Sequence, residues 1–137
     1  GGRLLSDCDP ELLVHLSFTD QVTIASVDIG IADEDKAPSH VYVVANSHLS
    51  FEDFEAGVDV GKGVVEAVTP KYVKQGKYQW MHIAIPRQST RHFQAISKLT
   101  VFCPESNDEE YTEIAQIKVF GTAEKGLDWS NGFNCNS

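Results

Sequence analysis

The segment from Lys98 to Gly121 restricts the fold of this chain more than any other part of its 137 residues. It begins and ends with runs in which apolar side chains occupy alternate positions, namely Leu99, Val101 and Cys103 in the first run and Ile117 and Val119 in the second. Alternation with a period of two is typical of β-strands that bury one face. Between these runs, residues 104–110 are polar and acidic, which indicates a solvated loop. Because two strands alone leave an apolar face in water, the rest of the chain must supply a second layer.

The same alternation predicts further strands at residues 11–18, 22–31, 40–45, 63–68 and 78–85. We expect residues 19–21 to form a short connection between the first two of these strands. In the second strand the apolar side chains change from even-numbered to odd-numbered positions at Ala25 and Ser26. Such a change predicts either a β-bulge or a strand that bends between two sheets.

The number of short strands predicts an all-β protein. Phe51, Phe54 and Val58 have helical spacing after Ser50, so at most one short helix is expected, ending at Gly57. Seven or more strands with regularly spaced turn signals predict an antiparallel β-sandwich, and a jelly roll is the most natural topology because it leaves few exposed strand edges. We assign residues 1–124 to a single domain and residues 125–137 to a C-terminal tail that is ordered in part at most.

The charge and the cysteines limit the classes of partner. With 11 basic and 20 acidic side chains the net charge is −9, so we expect no nucleic-acid partner. No apolar stretch approaches the roughly 20 residues of a membrane helix, which predicts a soluble chain without a membrane partner. Cys8, Cys103 and Cys135 have wide and irregular spacing, which fits neither a disulfide framework nor a metal pair. We therefore expect reduced cysteines, with Cys103 buried. The chain is also expected to be a monomer.

The sequence contains none of the local motifs of common catalytic or phosphate-binding sites. The five histidines lack ligand spacing, and Asp7, Asp9 and Glu11 lack the glycine and the distal glutamate of a calcium loop. No catalytic residue, cofactor or metal site is predicted. A hydrolase that uses Cys8 as its nucleophile remains an alternative, and it requires an exposed thiol of low pKa.

The segment from residue 86 to residue 93, PRQSTRHF, is the one place where positive charge is predicted to gather. Its partner-binding candidates are Arg87, Arg91, His92 and Phe93. Arginine and aromatic side chains are enriched among the residues that carry binding energy at protein interfaces. The alternative is an ordinary exposed loop. If the segment binds a partner, replacing Arg91 and Phe93 with alanine is expected to weaken that binding and to leave the melting temperature nearly unchanged.

Several segments, taken as an ordered set, resemble the PITH domain, the proteasome-interacting thioredoxin module. They are LLSDCDPELL at residues 4–13, FEDFEAG at residues 51–57, SKLTVFC at residues 97–103 and TEIAQIKVFGT at residues 112–122. The resemblance spans residues 4–124. It implies a jelly roll of the galactose-binding type and a non-catalytic module that docks to the proteasome regulatory particle in the cytoplasm and nucleus. The sequence departs from the family pattern at PRQSTRHFQAIS (86–97) and at PESNDEEY (104–111).

The leading hypothesis is therefore a protein-interaction module. The main alternative is a jelly roll that binds a small ligand or a glycan through an exposed aromatic side chain and a few polar groups. Trp80 can stack on a sugar, although a tryptophan in a strand is more often part of the core or covers an edge.

Overall fold

A computed structural model describes residues 4–5, 11–45, 63–68, 70–107, 111–123 and 128–129. In these ranges it contains two short 3₁₀ helices, Glu34–Lys36 and Arg87–Phe93, no α-helix, and ten β-strands. The strands are β1 (Leu4–Leu5), β2 (Leu12–Ile31), β3 (Pro38–Ala45), β4 (Val64–Val68), β5 (Val73–Gln75), β6 (Tyr78–Ala84), β7 (Ile96–Ser106), β8 (Glu113–Ile114), β9 (Gln116–Ala123) and β10 (Asp128–Trp129). Neither helix in this part of the chain has the length and apolar character needed to cross a membrane.

Some of the sequence-based predictions lie outside these ranges. They are the helix ending at Gly57, the calcium-like segment apart from Glu11, the Cys8 nucleophile, and the tail at residues 125–137 apart from β10.

Strand β2 organises the sandwich because both layers share it. Its N-terminal part pairs with β7, from Leu12 opposite Cys103 to Ser17 opposite Lys98, and its C-terminal part lies between β6 and β9. The predicted connection at residues 19–21 is wrong, since β2 continues through it as one strand of 20 residues. Thr-Asp-Gln contains no glycine or proline that would end a strand.

The bulge predicted near Ala25 is confirmed. The register between β2 and β9 shifts between Ile24 and Ser26, so Ala25 is an extra residue on β2. Gly121 lies opposite Ile24 at this point, and a Cβ atom on Gly121 would lie only 1.8 Å from the backbone oxygen of Thr23. The close approach of the two backbones therefore requires glycine at residue 121.

The strands form an eight-stranded antiparallel sheet that curls into two layers. One layer is β2 (N-terminal part)–β7–β3–β4, and the other is β10–β9–β2 (C-terminal part)–β6–β5. Strands β1 and β8 form a separate antiparallel pair. The fold is an all-β, antiparallel jelly-roll sandwich, which confirms the predicted fold class.

The core contains the apolar side chains that occupy alternate positions along the long strands. Its members include Leu12, Val14 and Leu16 of β2, Met81 and Ile83 of β6, Leu99, Val101 and Cys103 of β7, and Ile117 and Val119 of β9. The predicted burial of Cys103 is confirmed. Strand β7 was expected to be half-buried, but Thr100 and Phe102 on its other face are also buried. The centre of β7 is therefore covered on both sides.

The β5–β6 hairpin is tied to the other layer through Tyr72. Gln75 pairs with Tyr78 across a two-residue turn at Gly76 and Lys77. The Tyr72 hydroxyl donates a hydrogen bond of 2.8 Å to the carbonyl oxygen of Pro38, at the start of β3. Burial raises the pKa of Tyr72, and the hydroxyl therefore keeps its proton. This contact holds the hairpin against the sandwich.

Candidate interaction surface

The segment that the sequence predicted as a partner site forms the second 3₁₀ helix. It follows Pro86, whose carbonyl oxygen accepts hydrogen bonds from the Ser89 amide at 2.9 Å and from the Thr90 hydroxyl at 3.2 Å. The helix connects the end of β6 to the start of β7, and so connects the two layers of the sandwich. It packs against β2.

The four predicted partner-binding residues have different environments in this helix. Arg87 and Arg91 are exposed, and His92 is half-buried near Gly63. Phe93 is fully buried and belongs to the hydrophobic core, so its prediction as a partner-contacting residue is wrong. A connection that crosses between two layers has to close the end of the core, and the free energy of removing a large ring from water favours Phe93 for this position.

A second polar surface lies on the outer face of the layer formed by β5, β6, β2 and β9. Met81 and Ile83 of β6 point into the core. Trp80 and His82 occupy the alternate positions of this strand and therefore face outward. Trp80 lies opposite Val73 on one side and Gly30 on the other. His82 lies opposite Asp28, which in turn lies opposite Lys118. Register alone thus brings together residues from four strands.

The indole of Trp80 lies across Gly30. A Cβ atom at Gly30 would lie 2.8 Å from two atoms of the indole, so only glycine permits this close contact. The Lys118 ammonium is 4.6 Å from the centroid of the Trp80 ring, and the Tyr78 ring meets the indole edge-on at 6.2 Å. The cation–π contact holds the ammonium of Lys118 at a defined place on the sheet face.

An open cleft of about 460 Å³ lies beside the β5–β6 hairpin, lined by Asp28, Lys71, Val73, Gln75, Trp80 and His82. We call it the hairpin cleft. The Nδ1 atom of His82 lies 2.5 Å from a carboxylate oxygen of Asp28. The His82 side chain is 63% exposed and that of Asp28 is 23% exposed, so the pair faces solvent. Among the described residues of the lining there is no serine, threonine or cysteine that this pair would activate as a nucleophile.

The outer face of the other layer carries a smaller polar cluster on β3 and β4. The Nε2 atom of His40 lies 2.5 Å from a carboxylate oxygen of Glu66, and Glu66 also makes a side-chain hydrogen bond with Tyr42. The Tyr42 ring stacks on Phe102 at 6.2 Å between centroids. Burial, followed by the hydrogen bond and charge of Glu66, raises the pKa of Tyr42. These contacts join three neighbouring strands, β4, β3 and β7, and stabilise that face of the sheet.

In the part of the chain that the structure describes, the side chains of the two surfaces do not form a metal or thiol site. Within the described residues, no group of three or more His, Cys, Asp and Glu side chains is placed to hold a metal ion. The thiol of Cys103 is fully buried, and burial raises its pKa.

The sequence reasoning missed one signal for the hairpin cleft. Between Glu66 and Glu105 the sequence has no Asp or Glu, although the whole chain has a net charge of −9. The charged side chains of this stretch are Lys71, Lys74, Lys77, Arg87, Arg91 and Lys98. The predicted gathering of positive charge at residues 86–93 lies in the C-terminal half of this longer basic segment. The hairpin that borders the cleft lies in its N-terminal half.

The comparisons with known proteins identify the family. No curated protein matches the chain. The family model of the PITH domain matches residues 2–131 of the 137 residues. This match confirms the resemblance seen in the sequence and supports the role of a protein-interaction module. The chain therefore belongs to the PITH domain family.

Proposed function

We propose that this chain is a non-catalytic docking module that binds the regulatory particle of the proteasome. The observation that carries the proposal is the match to the PITH domain family over residues 2–131. The module acts as a monomer in the cytoplasm and nucleus, without a cofactor and without a nucleic-acid or membrane partner.

The geometry of the described residues agrees with binding rather than with a reaction. The His82–Asp28 pair lies in an open cleft whose lining has no nucleophile, and the described thiol, Cys103, is enclosed by the core. The sequence contains no Cys-x-x-Cys pair, so this chain contributes contacts to a partner and not dithiol exchange.

The proposal is tested by co-migration of the purified chain with proteasomes on a native gel. Intact proteasomes are compared with isolated core particles that lack the regulatory cap. We expect the chain to shift only with the capped particle. Equal binding to the core particle, or no binding to either at tens of micromolar protein, would contradict the proposal.

The glycan-binding alternative is less well supported. It requires an aromatic face that is open to a sugar ring, and Trp80 is the half-exposed tryptophan of the hairpin cleft. Gly30 lies against the indole, however, and the Lys118 ammonium lies over its ring. A sugar would have to displace that ammonium before it could stack on the indole. Glycan-induced thermal stabilisation of the chain would favour this alternative.

A further inference from the structure

Basic groups around the hairpin cleft have no acidic partner within the described residues. Lys118 lies directly opposite Asp28 in the sheet, but the Asp28 carboxylate contacts His82, while the Lys118 ammonium lies over Trp80. Lys71 lines the cleft and is exposed, and it makes no ion pair with a described carboxylate. Two ammonium groups that no described carboxylate neutralises are therefore placed to bind negative charge at this surface.

The hairpin next to the cleft ends in a strand with an open edge. In the described part of the chain, β5 pairs with β6 on one side and with no strand on the other. All three of its residues are exposed, and Val73 is 60% exposed. Lysines on an edge strand oppose pairing with a second copy of the same edge, because like charges repel. Lys74 on this strand and Lys71, two residues before it, also attract an extended segment that carries carboxylates.

We propose that the hairpin cleft binds an acidic, extended peptide segment of the protein partner. The inference rests on the proposed docking function and names the chemistry that the partner presents. Carboxylates of the segment pair with Lys71 and Lys118 on the cleft side, and its apolar side chains pack on Val73 and on the exposed part of Trp80. Lys74 points to the opposite face of β5 from Val73 and Gln75 and adds positive charge at the same edge. A peptide fits better than a nucleic acid, because the acidic remainder of a chain with net charge −9 repels a long phosphate backbone.

Fluorescence anisotropy with the whole chain tests this binding. The probe is a fluorescein-labelled dodecapeptide of alternating Glu and Thr, and the comparison peptide has Lys in place of Glu. We expect the acidic peptide alone to bind. The double substitution Lys71→Glu and Lys74→Glu should weaken this binding at least about tenfold, because it replaces attraction with repulsion.

The matched control is Arg87→Glu with Arg91→Glu, which changes the net charge by the same amount at another exposed surface. We expect this control to bind the acidic peptide as the unchanged chain does, and both double variants to keep their melting temperature. Equal weakening by both pairs would overturn the inference, because it would indicate a general charge effect. Failure of the unchanged chain to bind, or tighter binding of a single-stranded dodecanucleotide, would also overturn it.

The native gel separates this inference from the proposed function. If the Lys71/Lys74 variant loses co-migration with the capped proteasome while the Arg87/Arg91 variant keeps it, both proposals are supported. If the hairpin variant co-migrates like the unchanged chain, docking stands and the acidic-segment inference fails. If the peptide binds and no proteasome does, the proteasome proposal fails and the binding chemistry of the cleft stands.

Discussion

Phe93 and Arg91 are two residues apart in one short helix, and their side chains are in opposite environments. Phe93 is fully buried, whereas Arg91 is exposed. Phe93→Ala should lower the free energy of unfolding by about 3–5 kcal/mol, because it removes a large ring from the core and leaves a cavity. Arg91→Ala should change it by no more than about 0.5 kcal/mol. Urea denaturation followed by circular dichroism measures both, and a change below about 1 kcal/mol for Phe93→Ala would contradict its place in the core.

The buried thiol of Cys103 should react slowly. Alkylation requires the thiolate, and burial both blocks the reagent and raises the pKa of this thiol. In the native chain we expect iodoacetamide to modify Cys103 no faster than the chain unfolds, and in urea to modify it within minutes. Mass spectrometry of the peptide that contains Cys103 measures both rates. Rapid modification without urea would show that the core opens at β7.

The same raised pKa predicts how stability depends on pH. The unfolded thiol ionises near its ordinary value of 9.0, while the folded thiol keeps its proton. Its contribution to stability is therefore fully present below pH 9 and is lost progressively as the pH rises toward the higher folded pKa. The free energy of unfolding should fall by up to about 1.4 kcal/mol per pH unit from this group. Cys103→Ala is less stable at neutral pH because of its cavity, but its decline between pH 9 and 10 should be shallower, and equal slopes would contradict the prediction.

Among the elements, the bulge in β2 depends on one residue of the neighbouring strand. Gly121→Ala would place a Cβ atom 1.8 Å from the Thr23 carbonyl oxygen, which is backbone and cannot rotate away. We expect a loss of about 3 kcal/mol in the free energy of unfolding. Thr122→Ala is the control, since Thr122 is adjacent and exposed. If both variants have the same urea midpoint, the two strands do not approach this closely.

The elements also show what alternation along a strand can predict. It located β7 and β9 and the phase change in β2, because side chains that face one core must repeat every two residues. It did not predict that β2 continues through residues 19–21, since a strand that passes from one layer to the other has no fixed core face there. The predicted partner-binding residues Arg87 and Arg91 are exposed but do not line the hairpin cleft. The hairpin cleft depends on register between strands that are distant in the sequence, as when Asp28 meets His82.

At the scale of the whole molecule, the charges are segregated along the chain and on its surface. The net charge is −9, yet the stretch between Glu66 and Glu105 carries only basic charges and includes the hairpin beside the cleft. The net negative charge of the chain repels an acidic partner at a distance, while the lysines of the hairpin attract it on contact. Added salt weakens the long-range repulsion before it weakens the short-range attraction, because it screens charges that lie more than a Debye length apart.

The sign of the salt dependence therefore tests which field governs binding of the acidic dodecapeptide. From about 0.1 M to 1 M salt the Debye length falls from about 10 Å to about 3 Å, so only nearby charges act. If the lysines of the hairpin hold the peptide, its affinity should fall across this range, although the net charge of the chain predicts the opposite trend. The Lys71→Glu, Lys74→Glu variant should lose this dependence or reverse it, and the Arg87→Glu, Arg91→Glu variant should keep it. Salt weakens attraction between opposite charges and also weakens repulsion between like charges. Binding that strengthens with salt would therefore contradict the role of the lysines and would mean that the apolar surfaces of Val73 and Trp80 hold the peptide against repulsion.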